Sequence, residues 1–234
     1  ASDVYKRQER DGTIESVADR TLETRNLTVA IKNIARACGD EISDAQPLLD
    51  ARLEDGSRVA AMFPPCAVSG PVLTIRKFTR RYSLDDLVEV GTLTAATASE
   101  LRQAIATGQN VLISGGTGTG KTTLLNALLQ CCPASERIVT IEDTAELRLP
   151  GRHWVALDAR EDNSEGIGAI DLSDLVRTSL RMRPDRLVIG EVRGAECLDL
   201  LWALSTGHSG SMSSCHASDV RGALARLETY TLLA

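Results

Sequence analysis

Aromatic side chains make up only 3% of this 234-residue chain, and its 26 basic residues are outnumbered by 32 acidic ones, for a formal net charge of −6. A protein whose main partner is nucleic acid needs a basic surface to meet phosphate and, for single strands, aromatic platforms for stacking bases. Both are scarce, so nucleic acid is not the favoured partner. Apolar runs fall well short of the about eighteen residues that argue for a membrane-spanning helix. No signal peptide opens the chain. The six cysteines (Cys38, Cys66, Cys131, Cys132, Cys197 and Cys215) form no C-x-x-C pair, which argues against a zinc ribbon or a thioredoxin-like dithiol. They read as reduced, mostly buried small hydrophobes in a cytosolic chain. What is present is ordinary: 43% hydrophobic and 25% charged residues, enough for one large or two small domains.

One stretch is not ordinary. Gly115-Gly116-Thr117-Gly118-Thr119-Gly120-Lys121-Thr122 fits G-x-x-x-x-G-K-[ST], the phosphate-binding P-loop. The apolar run before it reads as a buried strand and the run after it as a helix, which is the context the motif needs. Glycines let successive N–H groups turn inward on phosphate oxygens, and the helix N-terminus adds partial positive charge there. Lys121 is placed to bridge the β- and γ-phosphates and the Thr122 hydroxyl to bind Mg²⁺. Thr123 supplies a second hydroxyl, better suited to packing.

Around this motif the chain separates into parts. Residues 1–75 read as a small α+β domain. It has a turn at Asp11-Gly12, a strand over 13–17, a helix over 27–38 capped by Gly39, a hairpin marked by Asp55-Gly56, and a strand over 72–75. The first eight residues carry little signal. Residues 76–90 form a basic connector with a short helical piece. Residues 91–234 alternate strands (111–114, 138–141, 154–158, 187–189, 211–215) with helices (95–107, 121–130, 172–182, 196–205, 220–232). That alternation predicts an α/β fold with a mainly parallel sheet covered on both faces. The last helix reaches Ala234 without a stop signal, as in a fragment cut inside its final helix.

Three further groups carry chemistry. Leu187-Val188-Ile189 ends in Gly190-Glu191, which puts Glu191 at the carboxyl end of a central strand, where ligands of open α/β sheets sit. Gly190 stands where a Walker B strand usually has its aspartate. Ile138-Val139-Thr140-Ile141 leads into Glu142, Asp143 and Glu146. Three carboxylates this close need a cation or arginine near them, or else form a solvated helix start. Thr206-Gly207-His208 and His216 make a histidine pair with no suitably spaced third ligand for zinc, but able to hydrogen-bond a γ-phosphate. His153 reads as structural.

These boxes in this order resemble the type II/type IV secretion and pilus ATPases, most closely the CpaF-type ATPases of Tad/Flp pilus assembly. Residues 115–122 match the family's Walker A. The segment Ile141-Glu142-Asp143-Thr144-Ala145-Glu146-Leu147 is similar to its acidic box, and Gly190-Glu191-Val192-Arg193 to its atypical Walker B. Thr206-Gly207-His208 through His216-Ala217 is similar to its histidine box, with departures at Ser205, Ser209, Cys215 and Ser218. Upstream, the stretches around Leu49-Asp50-Ala51-Arg52 and Leu73-Thr74-Ile75-Arg76 resemble the end of its N-terminal domain.

The resemblance implies a RecA-like P-loop NTPase core preceded by that domain, and an Mg-dependent ATPase. The implied catalytic set is Glu191, Glu142, Lys121, Arg58, Arg76, His208 and His216, with Arg52 and Arg80 weaker. Gly115, Gly116, Thr117, Gly118, Thr119, Gly120, Lys121, Thr122 and Thr123 hold ATP, and Thr122, Glu142 and Glu191 hold Mg²⁺, partly through water. It also implies a hexameric ring on the cytoplasmic side of the inner membrane, working with membrane platform proteins of a pilus or secretion system. A DNA-translocating relative and a non-hydrolysing nucleotide-binding subunit are the rival readings.

Overall fold

Two units divide the chain, Ala1–Thr79 and Arg80–Ala234. The computed structural model describes residues 6–10, 13–17, 23–77, 81–149, 153–160 and 167–234. The Asp11-Gly12 turn and Arg80 lie outside the described residues.

In the smaller unit, β1 (Arg7–Arg10) pairs antiparallel with β2 (Thr13–Ser16). The strand β1 was without a sequence signal, because its residues alternate nothing apolar. Helix α1 (Thr24–Cys38) buries Leu27, Ile31 and Ala35, a helical stripe. It stops at Gly39, whose left-handed φ of 80° lets the Asp40 N–H reach back to the Ala35 carbonyl. The stripe packs on one face of an antiparallel sheet of β3 (Leu48–Arg52), β4 (Arg58–Met62) and β5 (Val72–Arg76). The Asp55-Gly56 signal makes the β3–β4 turn: the Asp55 carboxylate accepts the Ser57 N–H at 2.8 Å.

The larger unit opens with α2 (Leu84–Glu89), held by a reciprocal Ser83–Asp86 capping box. Leu84 and Leu87 are buried in this unit's core, so the second half of the basic connector packs as part of the α/β unit. After α3 (Ala95–Ala106) come β6 (Val111–Gly115), α4 (Lys121–Leu129), β7 (Ile138–Glu142), β8 (Trp154–Asp158) and α5 (Leu172–Ser179). One 3-10 turn, β9 (Arg186–Val192), α6 (Glu196–Ser205), β10 (Met212–His216) and α7 (Val220–Leu233) complete it.

All five strands run parallel, in the order β6-β10-β9-β7-β8. Both faces are dry. On β9, Val188 joins the cluster formed with α2, α3 and α4, while Leu187 and Ile189 join the one formed with α5 and α6. This is the period of two expected when a strand is covered on both sides. The α/β class and the parallel sheet expected from the alternation are therefore what the chain forms. Among the described residues, no helix is long and apolar enough to cross a membrane. All six cysteines are free thiols; Cys132, Cys197 and Cys215 are buried and Cys66 is exposed.

The amino edge of the sheet is closed by one buried cation. Arg186, at the start of β9, pairs with Glu136 and donates to the carbonyls of Ile105 (2.7 Å) and Gly210 (3.2 Å). Its side chain is 2% exposed. Removing it strands a partly buried carboxylate and two carbonyls. Arg186→Ala is therefore expected to destabilise the unit by about 3 kcal/mol, read as a lower urea midpoint.

Candidate active site

Parallel register brings the carboxyl ends of the strands together. His216 lies beside Gly115, Cys215 beside Val192, Ile189 beside Ile141, and Glu142 beside Asp158. The edge therefore carries the start of the glycine loop, His216, Glu191 and Glu142 in adjacent strands.

The loop turns into α4 at Gly120, whose φ of 91° is left-handed. Helices α2, α3, α5 and α7 begin on side chains that cap their first N–H groups: Ser83, Thr94, Asp171 and Asp219. Helix α4, like α1 and α6, begins without a side-chain cap, and it alone of the three begins on a glycine that follows a glycine-rich loop. Its first N–H groups are thus left for a ligand oxygen, the usual build of an anion site at a helix start. The loop is braced from within: Thr119 Oγ1 donates to the Gly116 carbonyl at 2.9 Å, and a Cβ on Gly115 would meet that hydroxyl at 2.5 Å.

Lys121 Nζ donates to the Gly116 carbonyl at 3.1 Å and pairs with Glu191 Oε1 at 3.2 Å. Burial pushes the Glu191 carboxyl up, but Arg193 and then Lys121 outweigh it and hold it below the usual carboxylate range. Arg193 grips Glu191 Oε2 through Nε (2.8 Å) and Nη2 (2.6 Å), and reaches Asp143 Oδ2 through Nη1 at 2.9 Å. Arg193 is the cation that the acidic stretch required, and the sequence reading did not place it in the site. Its position two residues past Glu191 was the signal: on an extended strand, that spacing shares a face.

The acidic stretch does not begin a helix. Residues 143–149 are irregular, and the Glu142 side chain folds back on them. Its oxygens accept the N–H groups of Glu146 (3.0 Å) and Leu147 (3.1 Å). Asn126 of α4 holds the same stretch, accepting the Arg148 N–H at 3.1 Å. Glu142 also explains the missing aspartate. A Cβ at Gly190 would sit 2.9 Å from Glu142 Cγ, so a neighbouring strand's carboxylate fills the space that a side chain at 190 would need.

The two histidines part company. His216 is at the loop's edge, exposed, on the strand next to Gly115. His208 precedes β10 and lies at the opposite end, its ring nitrogen 3.3 Å from the Ala203 carbonyl. A five-residue strand, roughly 15 Å long, separates that end from the loop, so the structure does not bring His208 to the phosphate site. His153 is also at that far edge, against Arg137. Arg58 and Arg76 belong to the smaller unit, where they are direct partners across β4–β5, with Arg52 opposite Arg58. The three form one row on the sheet face opposite α1.

Beside the loop opens a cavity of about 380 Å³. Gly118, Thr119, Gly120, Lys121, Thr123 and Leu124 line it together with the largely apolar Tyr82, Leu87, Val90 and Leu93. Its size and its apolar lining suit a nucleoside attached to phosphates held in the loop. No cluster of three or more histidine, cysteine or acidic side chains poised to hold a metal occurs among the described residues. A site of one hydroxyl, Thr122, with a carboxylate nearby fits Mg²⁺, which is bound by few protein groups together with phosphates.

Known proteins bear the same build. The type II/IV secretion system protein family matches residues 1–233. The chain belongs to that family. A putative conjugal transfer protein of Mycobacterium tuberculosis is 42% identical over 209 residues, covering 86% of this chain and 59% of its own length. The type IV secretion system protein PtlH of Bordetella pertussis is 39% identical over 216 residues, covering 82% and 64%. Among solved structures, the VirB11 ATPase of the Brucella suis type IV secretion system is 32% identical with a TM-score of 0.54, covering 98% of this chain and 76% of that one. The fold is that of the RecA-like secretion ATPases. The chain spans about six-tenths of the length of these two curated relatives.

Glu142 gives a pH test. Burial pushes its carboxyl up from 4.5 to about 7, against the two backbone N–H bonds. A raised folded value favours the protonated form, so its contribution to stability is fully present below about pH 4.5 and lost as pH rises through about 7. Glu142→Gln stays neutral throughout. Its Tm relative to wild type is expected to climb by several degrees, roughly, between about pH 5 and 8. Paired thermal melts across that range check this, and a flat difference refutes it.

Proposed function

We propose that this chain is the nucleotide-hydrolysing core of a secretion-type motor, splitting ATP into ADP and phosphate. The observation that carries the reading is the Lys121–Glu191 pair at 3.2 Å. It puts the P-loop lysine and a strand-end carboxylate within reach of each other, which supports their acting on one bound phosphate.

The triphosphate lies along the loop amides and the start of α4, and its nucleoside enters the cavity walled by Tyr82 and Leu87. Phosphate oxygens draw Lys121 from Glu191. Thr122 and Glu191 would hold Mg²⁺, which would supply neutralisation of the phosphate charge. Glu191 orients a water in line with the γ-phosphorus. A bond forms from that water to phosphorus, the bond from phosphorus to the β–γ bridging oxygen breaks, and the water's proton leaves toward Glu191. Glu142 holds the acidic stretch in place one strand over. His216 stands beside the loop as a hydrogen-bond partner for the γ-phosphate.

The named relatives support a role in a type IV secretion system; a ring of six copies working with inner-membrane platform proteins is what the motif resemblance adds to that reading. Pilus assembly of the Tad type is the narrower reading that the sequence motifs favour. The conjugal-transfer relative favours DNA transfer as the second reading. Hydrolysis stimulated by DNA, with steep salt dependence, selects that second reading.

Lys121→Ala and Glu191→Gln are each expected to lower ATP turnover by roughly two orders of magnitude or more, with Glu191→Gln still binding ATP. Full turnover in purified Glu191→Gln protein rejects the assignment. ATP binding without turnover in wild type converts it to a non-hydrolysing nucleotide-binding subunit.

A further inference from the structure

The geometry points to Arg193 as the residue that positions Glu191: it fixes one carboxylate oxygen so that the other, uncovered when phosphate takes Lys121, faces the attacking water. This rests on the hydrolytic reading above and adds a residue and an order of events to it.

The two oxygens of Glu191 have different partners. Oε2 receives two bonds from one guanidinium, Nε at 2.8 Å and Nη2 at 2.6 Å, while Oε1 receives only Lys121 at 3.2 Å. Lys121 is a single rotatable charge that already divides itself between Glu191 and the Gly116 carbonyl. An incoming phosphate competes for that charge. It competes poorly for Arg193, whose planar fork is held at a third point by Asp143. The peptide beneath the fork is fixed too. The N–H groups of Arg193 and Gly194 both donate to Glu196 Oε1, and Glu196 is buried. Val192, between Glu191 and Arg193, is fully buried in the core and anchors the strand end. Loading the site therefore frees Oε1 and leaves Oε2 where Arg193 holds it. Fixed aim is what an in-line attack needs, since a small misplacement of the orienting group costs heavily in rate.

The competing account is an ordinary surface ion pair. The Arg193 side chain is 62% exposed, so the pair adds little to stability. This separates the two accounts cleanly, because the positioning role lowers rate without lowering Tm. Lysine at 193 keeps the charge but cannot fork, so it holds Glu191 or Asp143 but not both.

The test is steady-state ATP hydrolysis by the purified, assembled protein, with ATP affinity and Tm measured separately. For Arg193→Ala, kcat is expected to fall roughly 10- to 100-fold, with KM, ATP affinity and Tm close to wild type. Arg193→Lys should recover part of the loss. In a Glu191→Gln background, Arg193→Ala should cost no further turnover, because it acts only through that carboxylate. An unchanged kcat in Arg193→Ala, a change confined to KM, or a further loss on top of Glu191→Gln each overturns the inference while leaving the hydrolytic reading intact. If Arg193→Ala does not fold, the lysine variant decides: wild-type kcat overturns the inference, and a reduced kcat at unchanged KM supports it. A wild-type protein without turnover overturns both.

Discussion

Everything at the candidate site depends on the parallel register of the five-stranded sheet. Both faces of that sheet are dry, and each strand must fit side chains into two different packing surfaces at once. On β9, Leu187, Val188, Ile189 and Val192 are fully buried. A slip of one residue would turn that set toward the opposite packing surfaces and move Glu191 away from Lys121. Apolar packing, with no catalytic role of its own, thus sets where the charged residues emerge. The closeness of Glu142 to Gly190, of Glu191 to Lys121, and of His216 to Gly115 all follow from this one constraint.

The same sheet uses charge in two ways at its two edges. At the amino edge, Arg186 is buried and its donors are taken by Glu136 and two carbonyls. At the carboxyl edge, Lys121, Glu191, Arg193 and Asp143 form a chain of pairs that is largely covered at its Lys121 end and open to solvent at Arg193 and Asp143. A closed, desolvated pair is costly to break, and so it serves as a fastening. A lysine that meets its carboxylate through one rotatable ammonium can turn to another anion, and so that pair suits a ligand. Placement, not residue type, separates the structural arginine from the functional one.

Much of this was legible in the sequence, and the reasons for the exceptions are specific. The glycine loop could be read because its motif fixes its own local geometry. The strands and helices of the larger unit could be read because burial on both faces writes long apolar strands between amphipathic helices. Strand β1 was not legible, since Arg7–Arg10 is a strand only through its pairing with β2. The inward fold of Glu142 was hidden for a related reason: it depends on which residue of β9 lies alongside, a register no local pattern states. His208 and His216 looked like one unit because eight residues separate them. The strand expected over 211–215 already lay between them and put them at opposite ends of it. Arg193 stood in the motif next to Glu191, but its bond to Asp143 joins residues fifty apart.

A site that fills and empties repeatedly must change few interactions when it does so. On the proposed reading, the backbone groups that would receive phosphate carry no side-chain cap, because a glycine starts α4. On that reading, the contact that must break is the Lys121–Glu191 pair. The parts that must not move are tied from below: Glu191 by Arg193, Arg193 by Glu196, and the acidic stretch by Glu142 and Asn126. Binding energy then goes into aligning the phosphates rather than into reorganising protein, which is the condition under which pre-aimed dipoles and charges accelerate a reaction.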